Sequence, residues 1–283
     1  MKPILKYPGG KSKELSEIKK YVPEFAGKYY EPFFGGGALF FDLEPKEAVI
    51  NDINSDLMDF YIGIRDDFDI VTSELKLIQK EYEKNRTEYE SLKEKSGPIR
   101  VEDNNECLYY KMRDIFNGET GSNLHPATVY FYMNKTSYSG MIRYNKAGKF
   151  NVPYGRYKNF NTNLITKQHS LLLQNSSICS GSYKKIFDMA NDGDFVFLDP
   201  PYDCIFSDYG NIETKDGFTE EMHRELAKDF RNLKAKALMV ISKTPLIEEL
   251  YGDLIVYEYD KTYAVNIRNR FKSEAKHVVL TNY

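Results

Sequence analysis

A carboxylate, two prolines and an aromatic ring follow directly after a short apolar run that ends at Leu198. These four residues are Asp199, Pro200, Pro201 and Tyr202. The run itself, Phe-Val-Phe-Leu after a turn-like Asn-Asp-Gly-Asp, predicts a buried parallel strand. Ligands bind where such strands end in open α/β sheets. The four residues are therefore candidates for a ligand site.

The same four residues suit a flat base that carries an amino group. Pro201 keeps Pro200 out of the helical region, so the Pro200 carbonyl lacks a helical partner and can face a ligand. Asp199 adds a second acceptor, and the two can accept both hydrogens of an exocyclic NH2 group. Tyr202 offers a face on which a heterocycle can stack. The alternative interpretation is a Pro-Pro turn in which Asp199 caps a helix.

A glycine turn and an acidic residue predict a second binding element. Residues 31–37 read Glu-Pro-Phe-Phe-Gly-Gly-Gly, and such a turn lets a ligand lie directly on the backbone. The spacing is not that of a dinucleotide fingerprint. Asp52 follows the next predicted strand, where this topology usually holds a ribose diol. Together these features favour a nucleoside without phosphates, of which S-adenosylmethionine is the common one, although a purely structural glycine turn is the alternative.

The amino-terminal segment ends like a phosphate-binding loop. Residues 6–12 read Lys-Tyr-Pro-Gly-Gly-Lys-Ser, but the chain has Leu5 where a Walker loop needs glycine. The match therefore fails. The segment is either a structural loop that opens a helix from Lys13, or a loop whose Lys11 reaches the carboxylate of a methionine moiety.

Charge is unevenly distributed along the 283 residues. The net charge of -3, from 42 acidic and 39 basic residues, argues against nucleic acid, yet residues 121–187 contain no Asp or Glu. Basic and aromatic residues alternate there, which is typical of surfaces that track phosphates and stack on bases. The aromatic residues are Tyr130, Phe131, Tyr132, Tyr138, Tyr144, Phe150, Tyr154, Tyr157 and Phe160. We predict a basic, aromatic nucleic-acid surface; a solvated basic face is the alternative.

Helical and strand patterns predict the fold class. Residues 27–52 predict a βαβ unit, and strands and helices alternate again after residue 164. Residues 56–112 predict charged helices, and glycines and prolines then punctuate the basic segment as loops and hairpin turns. We expect an α/β fold: a Rossmann-like doubly wound sheet from residues 1–54 and 165–283, split by a mainly helical inserted domain at residues 55–164.

Several classes of protein and site are disfavoured. No apolar segment is long enough to cross a bilayer or to act as a signal peptide, so we expect a soluble, cytoplasmic protein without membrane partners. The three cysteines are odd in number and far apart, which argues against disulfides or zinc. The four histidines lack metal-ligand spacing, so we expect no metal.

The sequence resembles the Dam-type DNA adenine-N6 methyltransferases, including restriction-associated members that act on GATC. Five segments carry the resemblance, in the α-type motif order: residues 6–11, 31–37, 51–54, 143–155 and 199–202. The resemblance implies a methyltransferase sheet, an inserted target-recognition domain with a basic hairpin loop, and double-stranded DNA as substrate. It also implies S-adenosylmethionine as methyl donor and S-adenosylhomocysteine as product. A bacterial or viral origin and a cognate restriction endonuclease encoded nearby would fit this family.

The resemblance implies roles for individual residues. The residues implied to hold a flipped-out adenine are Asp199, Pro200, Pro201 and Tyr202. The residues implied to contact S-adenosylmethionine are Tyr7, Lys11, Gly35, Asp52, Ser182, Tyr183 and Asp199. The residues implied to read DNA are Lys6, Tyr138, Ser139, Met141, Arg143, Asn151 and Pro153. Two positions depart from the family: Tyr7 replaces a common Trp and keeps an aromatic ring, and Ser182 replaces an Asp and can hydrogen-bond but contributes no charge. Residues 203–217 are long enough to close over the flipped base.

Three rival classes remain open. A methyltransferase for RNA or for a glutamine side chain could use the same sheet, but glutamine enzymes usually carry Asn in place of Asp199. A cytosine-N4 enzyme more commonly has Ser there. A non-catalytic DNA-binding module would have no reason to carry Gly35, Asp52 and Asp199 together.

Overall fold

A computed structural model describes residues 1–97, 99, 101–203, 217–262 and 274–283 of the chain. The described residues form a mixed α/β structure, which confirms the predicted class. They divide into two compact units. The first comprises residues 1–10, 35–44 and 54–178, and the second comprises residues 11–34, 45–53 and 179–283. The expected recognition segment, residues 55–164, lies inside the first unit.

Seven strands form one sheet in the order β3-β2-β1-β4-β5-β7-β6. β1 pairs in parallel with β2 and β4, and β4 pairs in parallel with β5. β7 runs antiparallel to both β5 and β6. The strand order reverses between β1 and β4, so their carboxyl ends lie at a topological switch point, where α/β sheets bind ligands. The strands are β1 Tyr29–Glu31, β2 Ala48–Asp52, β3 Ser176–Ser180, β4 Phe195–Leu198, β5 Lys236–Ser242, β6 Ile255–Thr262 and β7 Glu274–Thr281.

The second unit packs its helices on apolar strands. All four residues of β4 are buried, as expected for a central strand. The longest helix begins after Thr219, whose side chain accepts a hydrogen bond from the Met222 amide. Its buried residues, His223, Leu226, Ala227 and Phe230, recur at three- and four-residue spacing and form one face. The helices are α1 Leu15–Ile18, α8 Lys184–Met189, α9 Glu220–Asn232 and α10 Pro245–Tyr251.

The first unit is mainly helical. The predicted charged helices are present, and α4 buries Val71, Leu75, Ile78 and Tyr82. No residue of α4 after Tyr82 is fully buried, although Asn85 donates a hydrogen bond to the buried Asn105 at 3.1 Å. The helices are α2 Ala38–Leu43, α3 Ser55–Asp66, α4 Phe68–Ser96, α5 Asn104–Phe116, α6 Pro126–Thr136 and α7 Lys167–Gln174.

Helix α6 corrects the prediction of an aromatic surface. The sequence analysis assigned no helix here, but residues 126–136 form a helix that is capped by His125 and has nearly every residue buried. The aromatic rings pack inside the unit instead of facing solvent, because burying such a ring removes a large apolar area from water. The prediction is wrong for Tyr130, Phe131, Tyr132, Phe150, Tyr154 and Phe160, which are all buried. Tyr138 remains exposed.

Candidate active site

Two loops leave adjacent strand ends in the second unit. β1 and β4 pair in register, with Tyr29 opposite Phe195 and Tyr30 opposite Val196. The loop that follows Glu31 and the loop that begins at Asp199 therefore emerge side by side at the switch point. This is the edge where the sequence placed its candidate ligand site.

Lys11 connects with the acid and the aromatic ring that follow β4. Its Nζ lies 2.6 Å from both Oδ1 and Oδ2 of Asp199 and 5.1 Å from the centre of the Tyr202 ring. Tyr202 also donates a long hydrogen bond of 3.5 Å to Asp199 Oδ1. A carboxylate offers about four lone-pair sites, and Lys11 takes one on each oxygen. The structure thus brings together Lys11, Asp199 and Tyr202, which are far apart in sequence.

The electrostatics of this cluster are set by burial. The Lys11 side chain is 2% exposed and that of Asp199 is 21% exposed. Burial raises the pKa of Asp199 above its usual value, and the Lys11 ammonium opposes that increase. A buried ammonium is costly without a partner, so each member of the pair stabilises the charge of the other.

The side chain of Asn51 ties three loops together at the carboxyl ends of β1, β2 and β3. Its Nδ2 donates to the Pro32 carbonyl at 3.0 Å and to the Gly181 carbonyl at 2.9 Å. The Phe34 amide donates to the Asn51 carbonyl at 2.9 Å, and the Gly181 amide donates to the Asp52 carbonyl at 3.0 Å. Asn51 was not among the predicted site residues. Its role depends on contacts between loops that local sequence patterns do not record.

This loop cluster fits a nucleoside-bearing cofactor. Asp52 is buried at the end of β2, and the neighbouring Asn51 Oδ1 is buried without a hydrogen-bond partner among the described residues. Such an acceptor pair suits ribose hydroxyls or an amine. Ser182 is exposed. Tyr183 is held by a 2.8 Å hydrogen bond to Asp229 and packs against the Phe33 ring at 5.6 Å.

Another buried carboxylate, Glu14, lies one turn after Lys11 and was missed by the sequence analysis. Its amide donates to the Lys11 carbonyl at 2.8 Å. Its carboxylate accepts from Tyr259 at 2.6 Å, from His277 Nδ1 at 2.9 Å and from Lys261. Burial, the largest influence, raises the pKa of Glu14, but these hydrogen bonds together lower it to about 2. The residue is therefore ionised at neutral pH.

In the first unit, Tyr7 packs directly on the glycine turn. A Cβ atom at Gly35 would lie 2.8 Å from Tyr7 Cδ1, and one at Gly36 would lie 3.3 Å from Tyr7 Cβ. Gly35 also has a φ of +48°, a conformation that favours glycine. Its carbonyl accepts a hydrogen bond from Tyr61 at 3.2 Å. Close packing of Tyr7 is thus one reason why these two positions are glycine.

The seven predicted DNA-reading residues lie in one region of the first unit. Residues 137–154 double back on themselves, since Ser137 pairs with Tyr154 and Tyr144 with Phe150. Lys6, near the amino terminus, is held beside this segment by Asn134. The Lys6 backbone amide donates to Asn134 Oδ1 at 3.2 Å, and Asn134 Nδ2 donates to the Lys6 carbonyl at 2.8 Å. Arg143 Nε donates to Asn151 at 3.0 Å. Those with exposed side chains are Lys6, Tyr138, Ser139, Arg143 and Pro153; Met141 and Asn151 are half-buried.

Contacts within the first unit neutralise part of the positive charge of residues 121–187. Lys149 pairs with Glu119, and Arg156 pairs with Glu106 at 3.1 Å. Lys135 donates to the Ile4 carbonyl at 2.6 Å, and burial lowers its pKa to about 8. Residues 121–187 contain no acidic residues, but some of their basic side chains pair with acidic residues from elsewhere in the chain. The composition of this segment therefore overstated its positive charge.

Residues 7–265 match the family of D12 class N6 adenine-specific DNA methyltransferases. The chain belongs to this family. It is 35% identical to the type II methyltransferase M.CviBI of Paramecium bursaria Chlorella virus NC1A, over all of both chains. It is 33% identical to the type II methyltransferase M1.LlaDCHI of Lactococcus lactis subsp. cremoris, over 100% of this chain and 96% of that one. The DNA adenine methylase of Escherichia coli K12 is 29% identical over 95% of this chain and 89% of its own.

Family membership decides between the classes left open by the sequence. This D12 class protein is an adenine-specific DNA methyltransferase, which excludes the glutamine, RNA, cytosine-N4 and non-catalytic alternatives. Use of S-adenosylmethionine follows from the family.

The structure also bears on membrane insertion, metal binding and the expected closing segment. None of the described helices is long and apolar enough to span a membrane. Within the described ranges, no three His, Cys, Asp or Glu side chains could jointly hold a metal ion. Most of the expected closing segment, residues 203–217, lies outside the described residues.

Proposed function

We propose that this enzyme transfers a methyl group from S-adenosylmethionine to N6 of an adenine that is flipped out of duplex DNA, within the sequence GATC. The observation that carries the proposal is the cluster at the end of β4: Lys11 lies 2.6 Å from both oxygens of Asp199, and Tyr202 lies beside them at the switch point. An acceptor and an aromatic face at that edge suit an amine-bearing base.

The proposed chemistry is mainly positioning and electrostatics. The adenine amine is a poor nucleophile because its lone pair is delocalised into the ring. Acceptance of its two N–H bonds by Asp199 and by the Pro200 carbonyl favours pyramidalisation and orients the lone pair. A base inside a duplex is out of reach, so it has to be flipped out, and Tyr202 then replaces the lost stacking. Bound S-adenosylmethionine supplies the electrophilic methyl group.

Several residues are proposed to contact the cofactor. In the second unit, Asp52 is proposed to bind the ribose, with Ser182 and Tyr183 beside the cofactor adenine and Lys11 near the methionine carboxylate. Tyr7 and Gly35 of the first unit are proposed cofactor contacts by family resemblance. The loop cluster around Asn51 supports the Asp52 assignment, because it fixes the ends of three strands.

Residues 55–164 are proposed to be the target-recognition domain, with the doubled-back segment at 137–154 as its DNA-reading hairpin. The exposure of Tyr138 and Arg143 and the position of Lys6 beside Gly140, whose added Cβ would lie 3.3 Å from Lys6 Cβ, support this role. An arginine there can read a guanine edge through a bidentate contact. A cognate restriction endonuclease is a further proposal, which the names of the type II relatives support.

Label transfer to short duplexes tests the proposal. Purified enzyme and tritiated S-adenosylmethionine are incubated with a GATC duplex, with the same duplex methylated beforehand on both adenines, and with a duplex in which GATC is replaced by GTTC. We expect label in the first duplex alone. Equal label in the first two would contradict the target atom, and equal label in the first and third would contradict the proposed sequence.

A further inference from the structure

The buried pair of Glu14 and His277 is joined to the proposed adenine site through two routes. Glu14 lies one turn from Lys11, and its amide donates to the Lys11 carbonyl at 2.8 Å. His277 donates from Nδ1 to Glu14 at 2.9 Å, and its ring packs edge-on against the Tyr202 ring at 5.2 Å. The pair thus contacts both the lysine that holds Asp199 and the aromatic ring proposed to stack on the base.

Register in the β6–β7 hairpin explains why three donors converge on Glu14. Tyr259 and Lys261 lie two residues apart and therefore face the same side of β6. Tyr259 is paired with His277 across the hairpin, and the two rings pack at 5.7 Å. All three side chains donate to the Glu14 carboxylate. The carboxylate thereby attaches the turn that contains Lys11 to strands β6 and β7, at one edge of the sheet.

The Glu14–His277 pair is almost fully buried. Glu14 is 5% exposed and His277 is 1% exposed, and replacing buried ion pairs by apolar residues is often neutral or stabilising. A buried polar network does fix a single arrangement of its members. Here the network is connected to Lys11 through Glu14 and to the Tyr202 ring through His277.

We propose that Glu14 and His277 are positioning residues for methyl transfer, which hold Lys11 and the Tyr202 ring in the arrangement that receives the target adenine. This inference rests on the proposed role of Asp199 and Tyr202. Neither residue touches the reacting atoms. Their effect is expected to be larger on the chemical step and on the flipped base than on cofactor binding, because Lys11 is also a proposed cofactor contact.

Three variants and a matched control test the inference. Glu14→Gln removes the charge, His277→Asn keeps a donor but removes the ring, and His277→Phe keeps a ring but removes the donor. The control is Glu258→Gln on β6, which removes a carboxylate paired with Lys243 at 2.7 Å and with Lys276. Glu258 alternates with Tyr259 and so faces away from Glu14. Thermal melting establishes which variants are folded, and His277→Phe substitutes for His277→Asn if the latter is not.

The readouts are the single-turnover methyl-transfer rate, the calorimetric affinity for S-adenosylmethionine, and the fluorescence of a duplex with 2-aminopurine at the target adenine. We expect each folded Glu14 or His277 variant to lose roughly 10-fold or more in rate, as small misplacements of reacting groups do. Its 2-aminopurine signal should change, its cofactor affinity should fall by a smaller factor than its rate, and the control should keep wild-type values.

Two outcomes overturn the inference. Rates equal to those of Glu258→Gln would show that the pair does not position the site, and a loss of cofactor affinity in proportion to the rate would show a general structural role. Asp199→Asn is measured alongside. If Asp199→Asn retains the wild-type rate, the proposed function has failed; if it is inactive while the Glu14 and His277 variants match the control, only this inference has failed.

Discussion

The Lys11 ammonium lies 2.6 Å from each carboxylate oxygen of Asp199. The sequence had offered Lys11 as a contact for the methionine carboxylate and Asp199 as an acceptor for the base. In the structure each is a partner of the other, so any change at Asp199 acts on a buried lysine as well as on the proposed base site.

Asp199→Ala is expected to abolish methyl transfer and to leave the affinity for S-adenosylmethionine largely intact. Removal of a positioned acceptor costs roughly 10²-fold or more in rate. Because the variant also removes the carboxylate that accepts from the Lys11 ammonium, and Lys11 is 1% exposed, it should lower the melting temperature. Addition of Lys11→Met should restore stability without restoring activity. Near-normal turnover in a folded Asp199→Ala variant would refute the catalytic role.

Asp52→Ala is expected to weaken S-adenosylmethionine binding by roughly 1.5 to 3 kcal/mol, the range for a hydrogen bond to a charged group. Calorimetry on the free protein measures this. The control is Asp194→Asn. Asp194 precedes the amino end of β4, away from the carboxyl ends that form the candidate site, and its carboxylate accepts from the Lys28 amide at 2.7 Å. It should affect stability only. Unchanged affinity in a folded Asp52→Ala variant would mean that Asp52 only ends a strand.

Lys149→Ala is expected to weaken DNA binding uniformly across sequences and to flatten its salt dependence, since each phosphate contact adds to the slope. Lys149 pairs with Glu119, so the effect should be modest. Glu119→Gln releases the lysine and should steepen the salt dependence. The test is the slope of log affinity against log salt for all three proteins, and identical slopes would remove Lys149 from the DNA-binding surface.

Glu14 should make folding stability depend on acid pH. Its pKa falls from 4.5 in the unfolded chain to about 2 in the folded protein. The folded state therefore holds the proton less tightly, and the stabilisation is complete above pH 4.5 and lost as the pH falls towards 2. A difference of this size corresponds to about 3 kcal/mol. Urea unfolding of wild type and Glu14→Gln should differ by that order at pH 6 and converge near pH 2; a constant difference would contradict the shift.

Sequence patterns predicted the sheet better than they predicted the helices around it. The strand before Asp199 was found because four apolar strand formers follow a turn. Helix α6 was missed because burial on nearly all sides leaves no 3.6-residue alternation to detect. Its aromatic residues were assigned to the surface for the same reason.

The candidate site was predicted as a set of residue types at strand ends, and its internal contacts were not. Local patterns reveal buried strands, and with them Asp52 at the end of one strand and Asp199 and Tyr202 after another. The pairing of Lys11 with Asp199 and the three donors on Glu14 depend on strand order and on hairpin register. Neither is encoded in any local window of the sequence.

The most direct test of the account is a genome-wide map of N6-methyladenine in a methylation-free host that expresses the protein. We predict modification of the adenine in GATC, none with Asp199→Ala, and spread to sites that differ at an outer base pair with Arg143→Ala, because a lost bidentate contact removes about 1 to 3 kcal/mol of discrimination. Methylation at a different motif would contradict the assignment of the reading residues. Absence of N6-methyladenine with the wild-type protein, or its persistence with Asp199→Ala, would contradict the central claim.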